Sequence, residues 1–401
     1  MRVLLTSWAQ PTHFFPMVPL GWALRARGHE VRVASQPALA DAITSSGLPA
    51  VITGHDVDMK SIFDGLYGGA GASGKPPWAN RGQLSAGEQR AWTIKGLQIF
   101  VPILDAMIGD LLDFARYWRP DLVVFEPTTW AGPLAAAALG IPAVRHLWGI
   151  DFTLKSREYE PEVLAPALDR LGLAEVETLG AVTIDNCPPS LQVPGTYPRL
   201  GVRYVPYNGP GTAPDWLLDP PPRPRVCVTW GATNAHLMPG LTDTGPVLEA
   251  LSRLDVDVVA ALSASDARRL GPPPEGVRVV ESLPLHLLLP TCDLIVHQGG
   301  MGTIMTAFTC GLPQLVLPVL PEQRFNAHRL AASGAAIALP PWEASPDVLC
   351  DRLAELLGAP DYRTAAARVQ AEMQAQPPPA GVVADLERLA NERRREPEPV
   401  S

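Results

Sequence analysis

Short apolar runs recur along the chain, separated by stretches long enough for a helix. Val3-Leu4-Leu5 opens the series. A helix with Pro16 in its first turn is predicted to run to about Arg27, where Gly28-His29 end it, and Glu30-Val31-Arg32-Val33-Ala34 follows as a second strand. Proline suits a first helical turn and glycine the position after the last. Leu122-Val123-Val124-Phe125 and Ile141-Pro142-Ala143-Val144-Arg145 read as further strands. Strands alternating with helices predict a parallel sheet covered on both faces.

The rhythm stops at 206–224, where Pro206, Pro210, Pro214, Pro220, Pro221, Pro222 and Pro224 break any helix, and then restarts. Val226 to Thr229, Val256 to Leu262, Val277 to Val280, Leu294 to Val296 and Gln314 to Leu317 read as strands, with a helix over about 239–254. The expected organisation is an N-terminal domain over 1–205, a linker over 206–224, a second α/β domain over 225–379, and a closing helix within 380–401 that packs back on the first domain. Residues 57–100, rich in glycine and proline around Trp78, read as a long loop, and loops of that length commonly act as lids.

Composition narrows the function. The chain has 401 residues, 41 acidic against 32 basic, and its one basic run, Arg393-Arg394-Arg395, is flanked by glutamates. A nucleic-acid surface is not expected, nor is a membrane span, since no apolar run is long enough. The chain opens directly on a strand, with no signal peptide ahead of it, and its five cysteines are scattered. Both features predict a cytoplasmic protein with free buried thiols.

The chemistry concentrates in His297-Gln298-Gly299-Gly300-Met301-Gly302-Thr303, which follows a strand and opens a helix. Such a turn bares backbone amides at the positive end of a helix and suits an anion. Gly299, Gly300 and Gly302 let the backbone approach a phosphate, Thr303 adds a hydroxyl, and His297 can donate to a diphosphate oxygen. The pattern is neither a Walker A loop nor a dinucleotide fingerprint, and Ser7-Trp8-Ala9-Gln10 after the first strand has no glycine fingerprint either. That excludes a Rossmann dehydrogenase.

"HQGGMGT" followed by "GLPQLVLPVLPEQRFNAHRLAASGAA" (311–336) resembles the donor half of GT-B-fold glycosyltransferases, in particular the actinomycete group that glycosylates polyketides and related natural products from thymidine diphosphate (TDP) sugars. The opening "LLTSWAQPTHFFPMVPLGWALRARGHEVRVAS", "RHLWGIDFT" (145–153), "VPYNGPGTAPDWL", "VTWGAT", "PLHLLLPTCDLIVHQGG" and the closing "EMQAQPPPAGVVADLERLA" carry the same likeness, so it spans nearly the whole chain. The resemblance implies two Rossmann-like domains facing across a cleft. It implies that His297 and the glycines beside it bind the donor diphosphate, and that Glu322 and Gln323 contact sugar hydroxyls. Ser282 stands where plant relatives stack a tryptophan on uracil, which fits a thymine pocket of small groups, and Leu283 is expected beside it at the donor base. Thr229, Gly231 and Thr233 are expected to face the same cleft.

The same resemblance makes His13 the general base of an inverting transfer, oriented by an acid after a later strand. Here that acid is Glu126, where the family commonly has aspartate, and its longer side chain either orients His13 or contacts the acceptor itself. A helix N-terminus near His13 would disfavour imidazolium, and a base must be neutral. Phe14, Trp148 and Phe152, together with Trp78, are candidates for a flat hydrophobic acceptor. Asp56-Val57-Asp58 and Asp255-Val256-Asp257 spell a metal-binding DxD but read as loop and turn chemistry, so no metal and no cofactor are expected beyond the nucleotide sugar as substrate. The expected partners are a TDP-sugar donor and a hydrophobic aglycone; a homodimer and a helper protein stay open. The leading expectation is transfer of a hexose or deoxyhexose to an aglycone hydroxyl. A non-catalytic sugar-nucleotide-binding auxiliary protein and a nucleotide-sugar epimerase of the same fold are the alternatives.

Overall fold

The structure is a computed structural model that describes residues 1–67, 84–231, 233–234 and 243–395. The first sheet holds seven strands: β1 (Arg2–Thr6), β2 (Glu30–Ser35), β3 (Ala50–Ile52), β4 (Leu122–Phe125), β5 (Ala143–His146), β6 (Val182–Asp185) and β7 (Arg199–Gly201), in spatial order β3-β2-β1-β4-β5-β6-β7. The second holds six: β8 (Arg225–Thr229), β9 (Asp257–Leu262), β10 (Val277–Glu281), β11 (Leu294–His297), β12 (Gln314–Val316) and β13 (Ala336–Ala338), in order β10-β9-β8-β11-β12-β13. Every pairing is parallel. Val3, Leu4, Leu5, Leu122, Val123 and Val124 are fully buried, as are Val226, Val228, Leu294 and Val296. Central strands with helices on both faces have no solvent side, hence their unbroken apolar runs.

Both sheets reverse strand order beside their first strand. β1 lies between β2 and β4, and β8 between β9 and β11. Helices leave to opposite faces at such a switch point, and a crevice opens beyond the strand C-termini. The loops after β1 and β4, and after β8 and β11, are therefore brought together. Thr6 pairs with Phe125, and Thr229 with His297. The short strands β3, β6, β7 and β13 were not read from the sequence, because runs so short carry little periodicity.

Three local expectations change. The helix after β1 begins at Pro11, not near Pro16: Pro11–Phe14 is helical, Phe15–Met17 is a 3-10 turn, and Val18–Ala26 is helical again. Pro16 lacks the N–H that a continuous helix would use, which accounts for the tighter turn. His13 thus sits inside the first turn. The stretch 57–100 is not one long loop, since Met59–Tyr67 and Ala86–Gln98 are helices. Ser85 and Glu88 form a capping box on the second of these. Trp78 lies outside the described residues. The helix expected over 239–254 is Gly245–Leu251, with part of the expected range outside the described residues.

The helix Val383–Arg395 packs on the first sheet's core through Val383 and Leu386, next to Val382. His29 and Arg27 bind its Glu387 at 2.9 and 3.4 Å. The two halves also meet through Arg329, whose guanidinium donates to the carbonyls of Leu191 and Gln192. Three cysteines are buried, and Cys310 and Cys350 are half-buried. Among the described residues no helix is long and apolar enough to cross a membrane.

Candidate active site

Two cavities meet between the halves. The first, about 440 Å³, is lined from the second half by Thr229, Gly231, Thr233, Ser282, Leu283, Gly300, Gly302, Thr303, Glu322 and Gln323, and from the first by His13 and Trp148. The second, about 540 Å³, lies against the first half and is walled by Trp92, Phe100, Trp130, Phe152 and Phe325. Leu320 and Glu322 line both, so the cavities adjoin at the start of the helix Pro321–Ala332.

His13 lines the first cavity, and Thr128, which reaches its ring, lines the second. The His13 Nδ1 lies 3.0 Å from Glu126 Oε2. Glu126 is fully buried, and its carboxylate also accepts from the Thr128 N–H at 3.0 Å, from the Thr128 hydroxyl at 2.9 Å and from the Thr129 hydroxyl. Those three donors hold the carboxylate as an acceptor beside the ring. It therefore takes the Nδ1–H of His13 and leaves Nε2 with a lone pair, free of partners among the described residues. Trp8 Nε1 is 3.2 Å from His13 Nδ1 and 3.0 Å from Thr128 Oγ1. An Nδ1 that donates to Glu126 cannot accept, so the indole N–H goes to Thr128. The Trp148 ring covers a face of the imidazole, centroids 4.2 Å apart. Trp148 is therefore a wall of the base, not of the aromatic cavity.

The glycine-rich turn departs from expectation at His297. The ring is fully buried and does not line the cavity. Its Nε2 contacts Gln314 Oε1 at 2.8 Å, and its Nδ1 accepts the Gly299 N–H at 3.0 Å. Burial pulls its pKa down to about 4. A neutral ring with both nitrogens engaged has nothing to offer a diphosphate. It fixes the turn instead, and Gly299, at φ 96°, faces inward against Gln323 and Val316. The amides of Met301, Gly302 and Thr303 remain at the open end of the helix Met301–Thr309, whose N-cap Gly300 offers no side chain. Gln298 borders this opening, pressed against Gly231 and Gly300.

Ser282 is in the left-handed region at φ 55°, a strained conformation that clusters at ligand sites. Burial raises the Glu322 carboxyl above its usual range, with His13 and Asn326 opposing that shift. The Gln323 side chain is already engaged: Oε1 accepts the Val319 and Leu320 N–H groups at 3.0 and 3.1 Å, and Nε2 donates to Asn234 at 2.8 Å. One amide N–H is left for a sugar hydroxyl. Phe14 is fully buried in the first core, a correction to its expected place at the acceptor, whereas Phe15, one position on, lines the first cavity. The DxD carboxylates serve the fold. Asp56 accepts from the Ala38 N–H, Asp58 from Ser61, and Asp255 and Asp257 pair with Arg223 and Arg225. Thr128, Thr129 and Trp130 were missed because nothing in "PTTW" distinguishes it from an ordinary helix entry.

Comparison with known proteins places this geometry. The erythromycin biosynthesis protein CIII-like N-terminal domain matches residues 22–231, and the C-terminal domain of that family matches 245–389. The chain is 42% identical to the 10-deoxymethynolide desosaminyltransferase of Streptomyces venezuelae, over 99% of each chain. It is also 42% identical to the aklavinone 7-beta-L-rhodosaminyltransferase of Streptomyces galilaeus, over 99% of this chain and 98% of the other. Among solved structures it is similar to the glycosyltransferase VinC in complex with DTDP, with TM-score 0.84, 36% identity and coverage of 98% and 100%. It is similar too to the spinosyn rhamnosyltransferase SpnG complexed with thymidine diphosphate, with TM-score 0.80, 32% identity and coverage of 96% and 100%.

Proposed function

This chain belongs to the erythromycin biosynthesis protein CIII-like family and is a glycosyltransferase of the GT-B fold, and from that premise we propose that it transfers a deoxyhexose from a TDP-sugar to a hydroxyl of a polyketide-type aglycone with inversion. The nucleotide lies in the 440 Å³ cleft, its base near Ser282 and Leu283 and its diphosphate at the amides of Met301, Gly302 and Thr303. A helix N-terminus stabilises that charge, and the Thr229 and Thr303 hydroxyls can add hydrogen bonds. The aglycone lies in the aromatic cavity, and Glu322, common to both, reaches the sugar.

The observation that carries the reading is the His13–Glu126 pair, whose histidine lines the first cavity. Nε2 removes the acceptor proton as its oxygen attacks the anomeric carbon opposite the departing diphosphate. Glu126 stabilises the imidazolium that forms. Base catalysis of this kind contributes roughly 10²–10⁴-fold. The auxiliary-protein and epimerase readings are set aside, since full-length relatives at 42% identity are transferases.

The test pairs two measurements on His13→Ala: transfer of sugar from a TDP donor, and calorimetric binding of TDP with a chelator present. Lost transfer with unchanged binding is expected. Transfer at a near wild-type rate would remove His13 as the base.

A further inference from the structure

The loop after β5 joins the base to the donor half. Trp148, 6% exposed, tilts its ring over the His13 imidazole, centroids 4.2 Å apart. Trp148 and Ile150 share one core with Met301, Ile304 and Phe308 of the helix Met301–Thr309. The Met301 side chain presses on the residue between them: a Cβ at Gly149 would lie 2.1 Å from Met301 Cε. Met301 is also the first residue of its helix, so its backbone N–H has no partner within the helix and stands among the amides assigned to the diphosphate. One residue thus meets the donor with its backbone and the loop beside the base with its side chain.

Gln192 holds the same loop. Its Oε1 accepts the Asp151 N–H at 2.9 Å, and its Nε2 donates to the Gly149 carbonyl at 3.2 Å. The Gln192 carbonyl accepts from Arg329, on the helix Pro321–Ala332 that also carries Glu322 and Gln323. Both donor-side helices therefore bear on residues 148–151, and the first of these covers His13. Close-packed side chains transmit displacement rather than absorb it.

We propose that Trp148 is a positioning residue for the transfer: through Met301 and Gly149 it sets the His13 ring in its reactive orientation when the diphosphate occupies the helix. The inference rests on His13 as the base and on the diphosphate at Met301, Gly302 and Thr303. A wall of the acceptor site would act otherwise, through uniform binding that changes KM and spares kcat.

Steady-state kinetics of Trp148→Leu, Trp148→Phe and Met301→Ala, beside calorimetric TDP binding, test it. Met301→Ala keeps the backbone amide, and retained TDP affinity shows that each variant is folded. Trp148→Leu and Met301→Ala should each lower kcat by roughly ten- to a hundredfold, the cost of a misplaced base, with acceptor KM little changed. Trp148→Phe keeps an aromatic face and should recover most of kcat. The double variant Trp148→Leu/Met301→Ala should be hardly worse than either single one, because the two act in series. A raised acceptor KM with unchanged kcat, or effects that multiply in the double variant, would overturn the proposal. The base can also be observed directly by NMR in a chain carrying isotope-labelled histidine. The His13 signal, identified by its absence from His13→Gln, should move when TDP binds the wild type and stay in place in Met301→Ala. Equal movement in both would mean that TDP reaches His13 without the loop, and the proposal fails. His13→Ala separates the two readings. Its transfer at a wild-type rate removes the base and this inference together, whereas an inactive His13→Ala beside Trp148→Leu of normal kcat sinks this inference alone.

Discussion

His297 Nδ1 accepts the Gly299 N–H at 3.0 Å, two residues along its own chain, while Nε2 reaches Gln314 on the neighbouring strand β12. The histidine that opens the glycine-rich turn therefore acts on the backbone that would hold the diphosphate. An expectation follows that a direct phosphate contact would not give. His297→Ala and Gln314→Ala should each weaken TDP binding about tenfold, a hydrogen bond's worth, and the double variant should be hardly worse than either. Residues in one network are non-additive in this way. Wild-type affinity in Gln314→Ala, measured by calorimetry, would return His297 to the phosphate.

The same ring sets an acid limit. Burial lowers the pKa values of His297 and His146 to about 4, below the ordinary 6.5. Between those values the unfolded chain binds protons that the folded chain refuses. Their stabilising effect is complete above pH 6.5 and is lost as pH falls toward 4, by up to about 3 kcal/mol for each group. Urea midpoints should drop across that window, and His297→Gln should lessen the slope. An unchanged slope would mean the ring is not buried neutral.

Glu160 has the opposite sign. Its pKa is raised to about 7, above the ordinary 4.5, so the folded chain holds a proton that the unfolded chain releases. Its favourable protonated state is complete below pH 4.5, and stability is lost as pH rises to 7, by up to about 3 kcal/mol. Glu160→Gln should therefore be more stable than the wild type at pH 8, and the gap should narrow at pH 5. Denaturant unfolding at the two pH values decides it.

Glu126→Gln keeps the shape but cannot accept the Nδ1–H with a charge or accept from both threonine hydroxyls with a full carboxylate. Transfer should fall by about 10²–10⁴-fold, with TDP affinity unchanged. Glu126→Asp shortens the reach to His13 and should give an intermediate rate. Equal rates for Asp, Gln and Glu at this position would dissociate the acid from the base.

Gly231 sits at φ 68°, and a Cβ there would come within 2.3 Å of Gln298 Nε2. Gly231→Ala must displace Gln298 from the mouth of the turn and strain the backbone by about 1–3 kcal/mol. Weaker TDP binding with an intact fold by circular dichroism is the expected result.

The pattern of apolar runs was enough to divide the chain into two parallel-sheet halves, because a strand buried on both faces leaves a run that needs no tertiary information to be seen. The placement of loops followed with little more. Once strand order reverses beside β1 and β8, the segments after Thr6, Phe125, Thr229 and His297 must share a crevice. The positions of His13, Glu126 and Thr303 on those loops were legible from motifs. Side-chain direction was not. Phe14 and Phe15 are chemically equal and adjacent, and the turn around Pro16 sent the first into the core and the second to the cleft. His297 was read as a ligand contact because a strand-end histidine beside glycines suits one. Its direction was decided by Gln314, distant in sequence and near only through the pairing of β11 with β12. The two cavities had no local signature at all, since a cavity exists only once the chain has closed around it.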